Sequence, residues 1–331
     1  MKILFHIGMG KTGTSSIQQA LQQNTKQLAA RKVAYLGMWF TAIHPSFQGL
    51  AGQRKFFQST DEAILGYARR LADVLRARAT EDGTEVFIHS NEGLFGQIEK
   101  FAPFITELRA RGVEVEILAY MRDPHAWLPS AFTQWGIHHK YAPGPIQPFG
   151  ERARTLIHQY DAIRTWHELF PDLLTLRQHE TGTDVVQDFA QTAGLVLETD
   201  SNRYLERGED AEILLRALFN NRFEEEVLPD RFNRIVINTL RRPVTRVPEM
   251  AERCFSMEGI NDIVAENAEI FGFIRDTFGF DYLPGQATDR RPVDAAELQS
   301  RLVDYLIEIS YQQGERITRL ERQLRELSNE A

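Results

Sequence analysis

The sequence predicts an α/β fold built on a parallel sheet. Short apolar runs alternate with amphipathic helical stretches over the first two thirds of the chain, the order of βαβ units. "VEVEILAYMR" (113–122) has the apolar character of a strand covered on both faces. A strand, a glycine-bearing turn and a helix open the chain within its first 31 residues.

Lys2 to Ile7 reads as a buried strand, short, apolar and ended by glycine. Residues 14–31 read as a helix with Ile17, Leu21 and Leu28 on one face, and "KVAYLG" (32–37) as a second short strand. Residues 61–79 form an amphipathic helix carrying Ile64, Leu65, Ala68, Leu71 and Leu75. "TEVFIHS" (84–90) is a strand, 99–111 a helix and 113–122 a strand. "YAPGPIQPFG" (141–150) is dense in Pro and Gly and reads as a loop. Helices over 152–170 and 184–194 flank a strand in "LLTLRQHE" (173–180). From about residue 200 the pattern is mainly helical, broken by "DRRP" (289–292). The last helix, 294–328, keeps a heptad-like rhythm at Ile317, Leu320, Leu324 and Leu327. Fewer than three clean heptads fit a short coiled coil that self-associates and a solvent-flanked packing helix equally well. The expected organisation is one α/β domain over 1–290, with its core in about 1–200 and a helical elaboration over about 200–290, followed by the helix 294–328.

At 331 residues, 43% hydrophobic and 25% charged, the chain has the make-up of a globular protein with a sizeable core. A net charge of −8 argues against a general nucleic-acid binder. Cys254 is the single cysteine, which excludes an intrachain disulfide framework, suits a reducing compartment and reads as a small core residue. The apolar start is broken by Gly8, Gly10 and Lys11, well short of a membrane span, so the N-terminus reads as the first strand of a cytoplasmic protein.

"FHIGMGKTGTSSIQQAL" (5–21) carries the chemistry. A strand, a glycine turn and a helix start present several backbone N–H groups to one point, where the helix dipole adds positive charge. Lys11 adds a full charge, and Thr12, Thr14, Ser15 and Ser16 add hydroxyls. Gly8, Gly10 and Gly13 permit close approach of the backbone. The bland alternative, a tight turn capped by Ser or Thr, needs one hydroxyl and no lysine. The triphosphatase pattern G-x-x-x-x-G-K-[ST] fails here, because its first glycine falls on Phe5. Asp123, followed by Pro124, is a poor magnesium ligand.

"KTGTSS" (11–16), following a strand at the N-terminus, resembles the 5′-phosphosulfate loop of sulfotransferases that use 3′-phosphoadenosine 5′-phosphosulfate (PAPS). "YMRDPHAWLPSAF" (120–132) resembles the second half of that signature, with Arg122 at a strand end and Ser130 eight residues on. An arginine gives a planar two-pronged donor for a 3′-phosphate and a serine adds a neutral one. The resemblance covers both cofactor motifs and little beyond residue 135. It implies a P-loop nucleotide-kinase-like sheet and transfer of a sulfuryl group from PAPS, with adenosine 3′,5′-bisphosphate as product and no metal required. Lys11, Thr12, Gly13, Thr14, Ser15, Ser16, Arg122 and Ser130 would bind the donor, with Lys11 also in the catalytic set. For the third cofactor element, Ser201, Asn202 and Arg203 are candidates; "RRPVTR" (241–246) would instead serve the 3′-phosphate or an acidic substrate, or is a solvated surface run.

Sulfuryl transfer to an alcohol needs a base, positive charge on the transferring group and in-line geometry. "VFIHSNEGLF" (86–95) offers Glu92 and His89. The resemblance favours Glu92, whose alternative is a carboxylate at a helix start, while that of His89 is an imidazole packed along the sheet. His44, Trp135 and His138 are acceptor-side candidates, and adjacent His138 and His139 lack the spacing of a metal site. The acceptor implied is a hydroxyl of a carbohydrate or glycolipid. The rival classes are a P-loop nucleotide-dependent kinase and a non-catalytic binding or scaffolding protein working through its last helix.

Overall fold

The computed structural model describes residues 1–180, 182–198, 210–229, 231–232, 247–282 and 294–329. They fall into two compact units: residues 1–127, 157–206 and 264–285 form the first, and 128–156, 207–263 and 286–331 the second.

The first unit is an α/β structure, a parallel sheet flanked by helices. Its strands β1 (Lys2–His6), β2 (Val33–Tyr35), β3 (Val86–Ser90), β4 (Glu114–Arg122) and β5 (Leu174–His179) form one parallel sheet in the order β2-β3-β1-β4-β5. The register pairs His6 with Ser90 and with Leu118, and Arg122 with His179. Strand β1 is central, and the chain crosses over it between β3 and β4. The strand ends flanking such a reversal form the crevice where open α/β sheets bind ligands.

Alternation along the strands builds two cores. Leu4, Ile88, Leu118 and Tyr120 face Ile17 and Leu21 of α1 (Thr14–Gln23), Leu28 of α2 (Thr25–Ala30) and Val186 and Phe189 of α9 (Val185–Thr192). The opposite face is aromatic: Phe5 meets Phe101 and Phe104 of α5 (Ile98–Ala110) edge-on, and Phe40 stacks on Phe56 of α3 (Gly49–Phe57). Helix α4 (Asp61–Glu81) packs on α5, and α8 (Ala162–Leu169) also lies against it.

Two expected helices are broken. Residues 14–31 divide at Asn24, whose buried side chain donates to the Ala20 and Glu198 carbonyls and accepts from the Glu198 amide. Residues 149–169 run as α7 (Phe149–Leu156), a 3₁₀ stretch (Ile157–Asp161) and α8. Helix α3 was not foreseen; its Gly52 lies against the Phe47 backbone, where a Cβ would come within 2.4 Å.

Helix α6 (Pro124–Phe132) spans the division between the units. The second unit continues with a π-helical turn (Thr133–His138), α7, α10 (Asp210–Asn220), α11 (Val247–Phe255) and α14 (Ala295–Asn329). Helices α12 (Ile260–Glu266) and α13 (Ala268–Phe278) lead back to the first unit. The Pro/Gly-rich loop is closed from within: buried Lys140 donates to the carbonyls of Ala142, Gly144 and Phe223. Cys254 is buried, and burial pushes its thiol up to about 12, as suits a core cysteine. Leu298 and Leu302 are buried where α14 meets α10, whereas Leu306, Ile317 and Leu320 are half exposed or more. Among the described residues, no helix is long and apolar enough to cross a membrane.

Candidate functional site

The loop between β1 and α1 is held open from beneath. The Ile7 and Met9 amides donate to the Leu118 and Tyr120 carbonyls of β4, and Trp127 Nε1 donates to the Gly10 carbonyl at 2.8 Å. Gly13 precedes α1 at φ +85°, and a Cβ there would sit 2.6 Å from Val185 Cγ1, so both its backbone and its space demand glycine. Lys11 holds φ +68°, a conformation that costs a side-chain-bearing residue about 1–2 kcal/mol. Such strain is characteristic of loops that grip ligands.

Helix α1 has no side-chain cap. The Thr12 hydroxyl instead donates to the Met9 carbonyl, inside the loop. Among the described residues, the amides of Lys11 and of Gly13 to Ser15 donate to no protein acceptor, and the Thr14 hydroxyl is buried without a partner. The hydroxyls of this turn therefore do not cap α1. A Cβ on Gly8 would crowd that hydroxyl at 3.0 Å and His6 Nε2 at 2.9 Å. Ser15 is exposed and Ser16 half-buried in the first turn of α1.

Arg122 ends β4 beside this loop. Its Nη1 reaches the Lys11 carbonyl at 3.5 Å, and its Nε is buried without a partner. Its own carbonyl accepts from Tyr160 Oη at 2.5 Å, which fixes the strand end. Burial lowers the guanidinium pKa, with Tyr160 and Asp123 opposing. Burial also lowers the Lys11 ammonium, the Arg122 charge lowers it further, and Glu92 acts the other way. Burial penalises both cations, the Arg122 charge penalises Lys11 further, and unspent amides and orphaned donors lie beside them; an anion placed there would offset these costs. Asp123 Oδ1 accepts from the His125 amide and Nδ1, at 2.8 and 3.0 Å. No group of three or more potential ligands able to hold a metal occurs among the described residues.

Glu92 opens the 3₁₀ turn that follows β3, and its charge acts on Lys11. Asn91 caps the 3₁₀ turn Glu92–Gln97 by accepting from the Gly93 amide, and its Nδ2 donates to the Met38 carbonyl. Gln18 of α1 donates to Glu92 Oε2 at 3.2 Å. Tyr35, at the end of β2, has its pKa raised by burial and then by the Glu92 charge.

His89 does not join this group. Alternation along β3 sends its ring to the aromatic face, where it is 2% exposed and stacks on Phe40 at 4.4 Å. Burial lowers its pKa to about 3. This is the packed imidazole of the alternative reading. His44 is exposed and caps the turn Pro45–Phe47 by accepting from the Ser46 amide. Ser130, Trp135 and His138 belong to the second unit, all half-buried, with Trp135 lining a small cavity beside Arg152. Ser201, Asn202, Arg203 and 241–246 lie outside the described residues, as does the "DRRP" break. Sequence reasoning missed Gln18, Asn91, Trp127 and Tyr160. A polar residue one turn after Thr14 and a tryptophan in the helix after Arg122 were the available signals.

No protein-family model and no curated protein matches the chain at the sequence level. Three solved structures are similar to the chain at low identity. A sulfotransferase from Alicyclobacillus acidocaldarius is 14% identical, with 66% of this chain and 95% of that one covered and a TM-score of 0.38. The sulfotransferase domain of the Synechococcus PCC 7002 olefin synthase is 11% identical, with 76% and 94% covered and a TM-score of 0.35. The sulfotransferase domain from the curacin biosynthetic pathway is 10% identical, with 76% and 96% covered and a TM-score of 0.35.

Proposed function

We propose that the chain transfers a sulfuryl group from PAPS to a hydroxyl of a saccharide or glycolipid. One observation carries the reading: unspent loop amides, the orphaned Thr14 hydroxyl and the Lys11 and Arg122 cations belong to one loop and the strand end beside it, with the Glu92 carboxylate close enough for its charge to act on Lys11. The residues fit the donor, since an anion supplies what the orphaned groups lack. When bound, the donor brings an activated sulfuryl group and a nucleotide leaving group. Lys11 and the loop amides would neutralise charge on the bridging oxygen, and Glu92 would accept the proton of the attacking hydroxyl. Arg122 would take the 3′-phosphate. Ser130 keeps its donor-side assignment, and His44, Trp135 and His138 their acceptor-side one, from sequence position alone.

Nucleotide protection against heat tests this reading. Adenosine 3′,5′-bisphosphate should raise the melting temperature and ATP with magnesium should not; the reverse result establishes the kinase. Arg122→Ala should weaken binding of the bisphosphate by about 2–3 kcal/mol, the scale of a charge-assisted hydrogen bond, and abolish the preference for a 3′-phosphate. An equal loss for adenosine nucleotides with and without that phosphate, measured by titration, would remove Arg122 from the site.

The half-exposed Val303, Leu306, Ile317 and Leu320 support self-association through α14. Sedimentation should show a dimer that Leu320→Glu converts to monomer; a wild-type monomer at high concentration refutes it.

A further inference from the structure

We propose that Gln18 is a positioning residue, whose side-chain amide fixes the Glu92 carboxylate relative to the helix that carries the anion loop. The proposal rests on Glu92 being the base. Gln18 Nε2 lies 3.0 Å from the Ser90 carbonyl and 3.2 Å from Glu92 Oε2. Both partners only accept, so the NH₂ end of the amide must face them, one hydrogen to each. The Ser90 bond anchors the amide to the end of β3, and the second bond holds the carboxylate.

The geometry reaches further than one contact. Gln18 follows Thr14 by four residues, so the two share a face of α1. Thr14 turns an unpartnered hydroxyl into the loop while Gln18 grips the carboxylate. One rigid helix thus sets the spacing between the anion and the base, which in-line transfer requires. The titratable groups facing Glu92 are Lys11 from the loop and Tyr35 from the end of β2. Lys11 attracts the carboxylate, yet the two make no ion pair among the described residues. Collapse of that pair would remove the base from the acceptor and the positive charge from the leaving group together. A neutral donor from a third element holds the carboxylate against this pull without cancelling its charge.

A mutant cycle in the full chain tests the inference. Gln18→Met keeps length and helix propensity but loses both donors; Gln18→Glu keeps shape and sets a second carboxylate against the first. Each should lower kcat about ten- to a hundredfold, the worth of a hydrogen bond to a charged group, and leave the affinity for adenosine 3′,5′-bisphosphate within about twofold. In a Glu92→Gln background the same changes should cost almost nothing more, because the group they position is already gone. Equal losses in both backgrounds would mean a merely structural role and overturn the proposal. An unchanged kcat in Gln18→Met, with turnover lost in Glu92→Gln, would overturn it and leave the base assignment standing. Intact turnover in Glu92→Gln itself would instead remove the base.

Discussion

Glu92→Gln is expected to lower turnover by about two to four powers of ten, the range for losing a general base. The substitution keeps the side chain's shape and one acceptor oxygen, so the turn capped by Asn91 should survive. What it removes is the capacity to take a proton at neutral pH. Affinity for the donor should hardly change, or should rise slightly, since a carboxylate opposite a sulfonate repels it. His89→Asn is the control. Its ring fills a slot between Phe5 and Phe40, so the replacement should lower thermal stability and leave kcat of the folded protein near wild type. Single-turnover kinetics with both variants decide the matter: loss in His89→Asn with an intact Glu92→Gln reverses the assignment.

Lys11→Ala is expected to lower transfer about a hundredfold or more, the usual consequence of deleting one positioned donor for developing charge. Lys11 is the single charged residue of the loop between β1 and α1. Its strained φ of +68° indicates that the fold tolerates a local cost to place this side chain. Alanine would carry the same strain, so a fall in stability is not the expected readout; the expected one is a fall in kcat measured with saturating donor. A decrease of less than a few fold would move the transferring group away from Lys11.

The sheet was legible because strand periodicity is local. Each apolar run lies within about two residues of an observed strand, and β4 reads almost as drawn. Breaks in the helices were not legible: Asn24 interrupts its helix through bonds to Glu198, a partner 174 residues away. The loop between β1 and α1 was legible for the same local reason, since its glycines, lysine and hydroxyls are consecutive in the sequence.

By itself, then, the sequence determined the strands, most of the helices, the loop and the order of Arg122 after that loop along the chain. Only the tertiary structure showed that Glu92 and His89 lie in different surroundings. The two are three residues apart, and no local pattern separates them. Strand alternation and the packing of α3 and α5 bury the histidine among aromatic rings, whereas the turn after β3 lifts the glutamate to the Gln18 amide. Burial and orientation are set by contacts between segments far apart in sequence, and a side chain's chemistry follows from them.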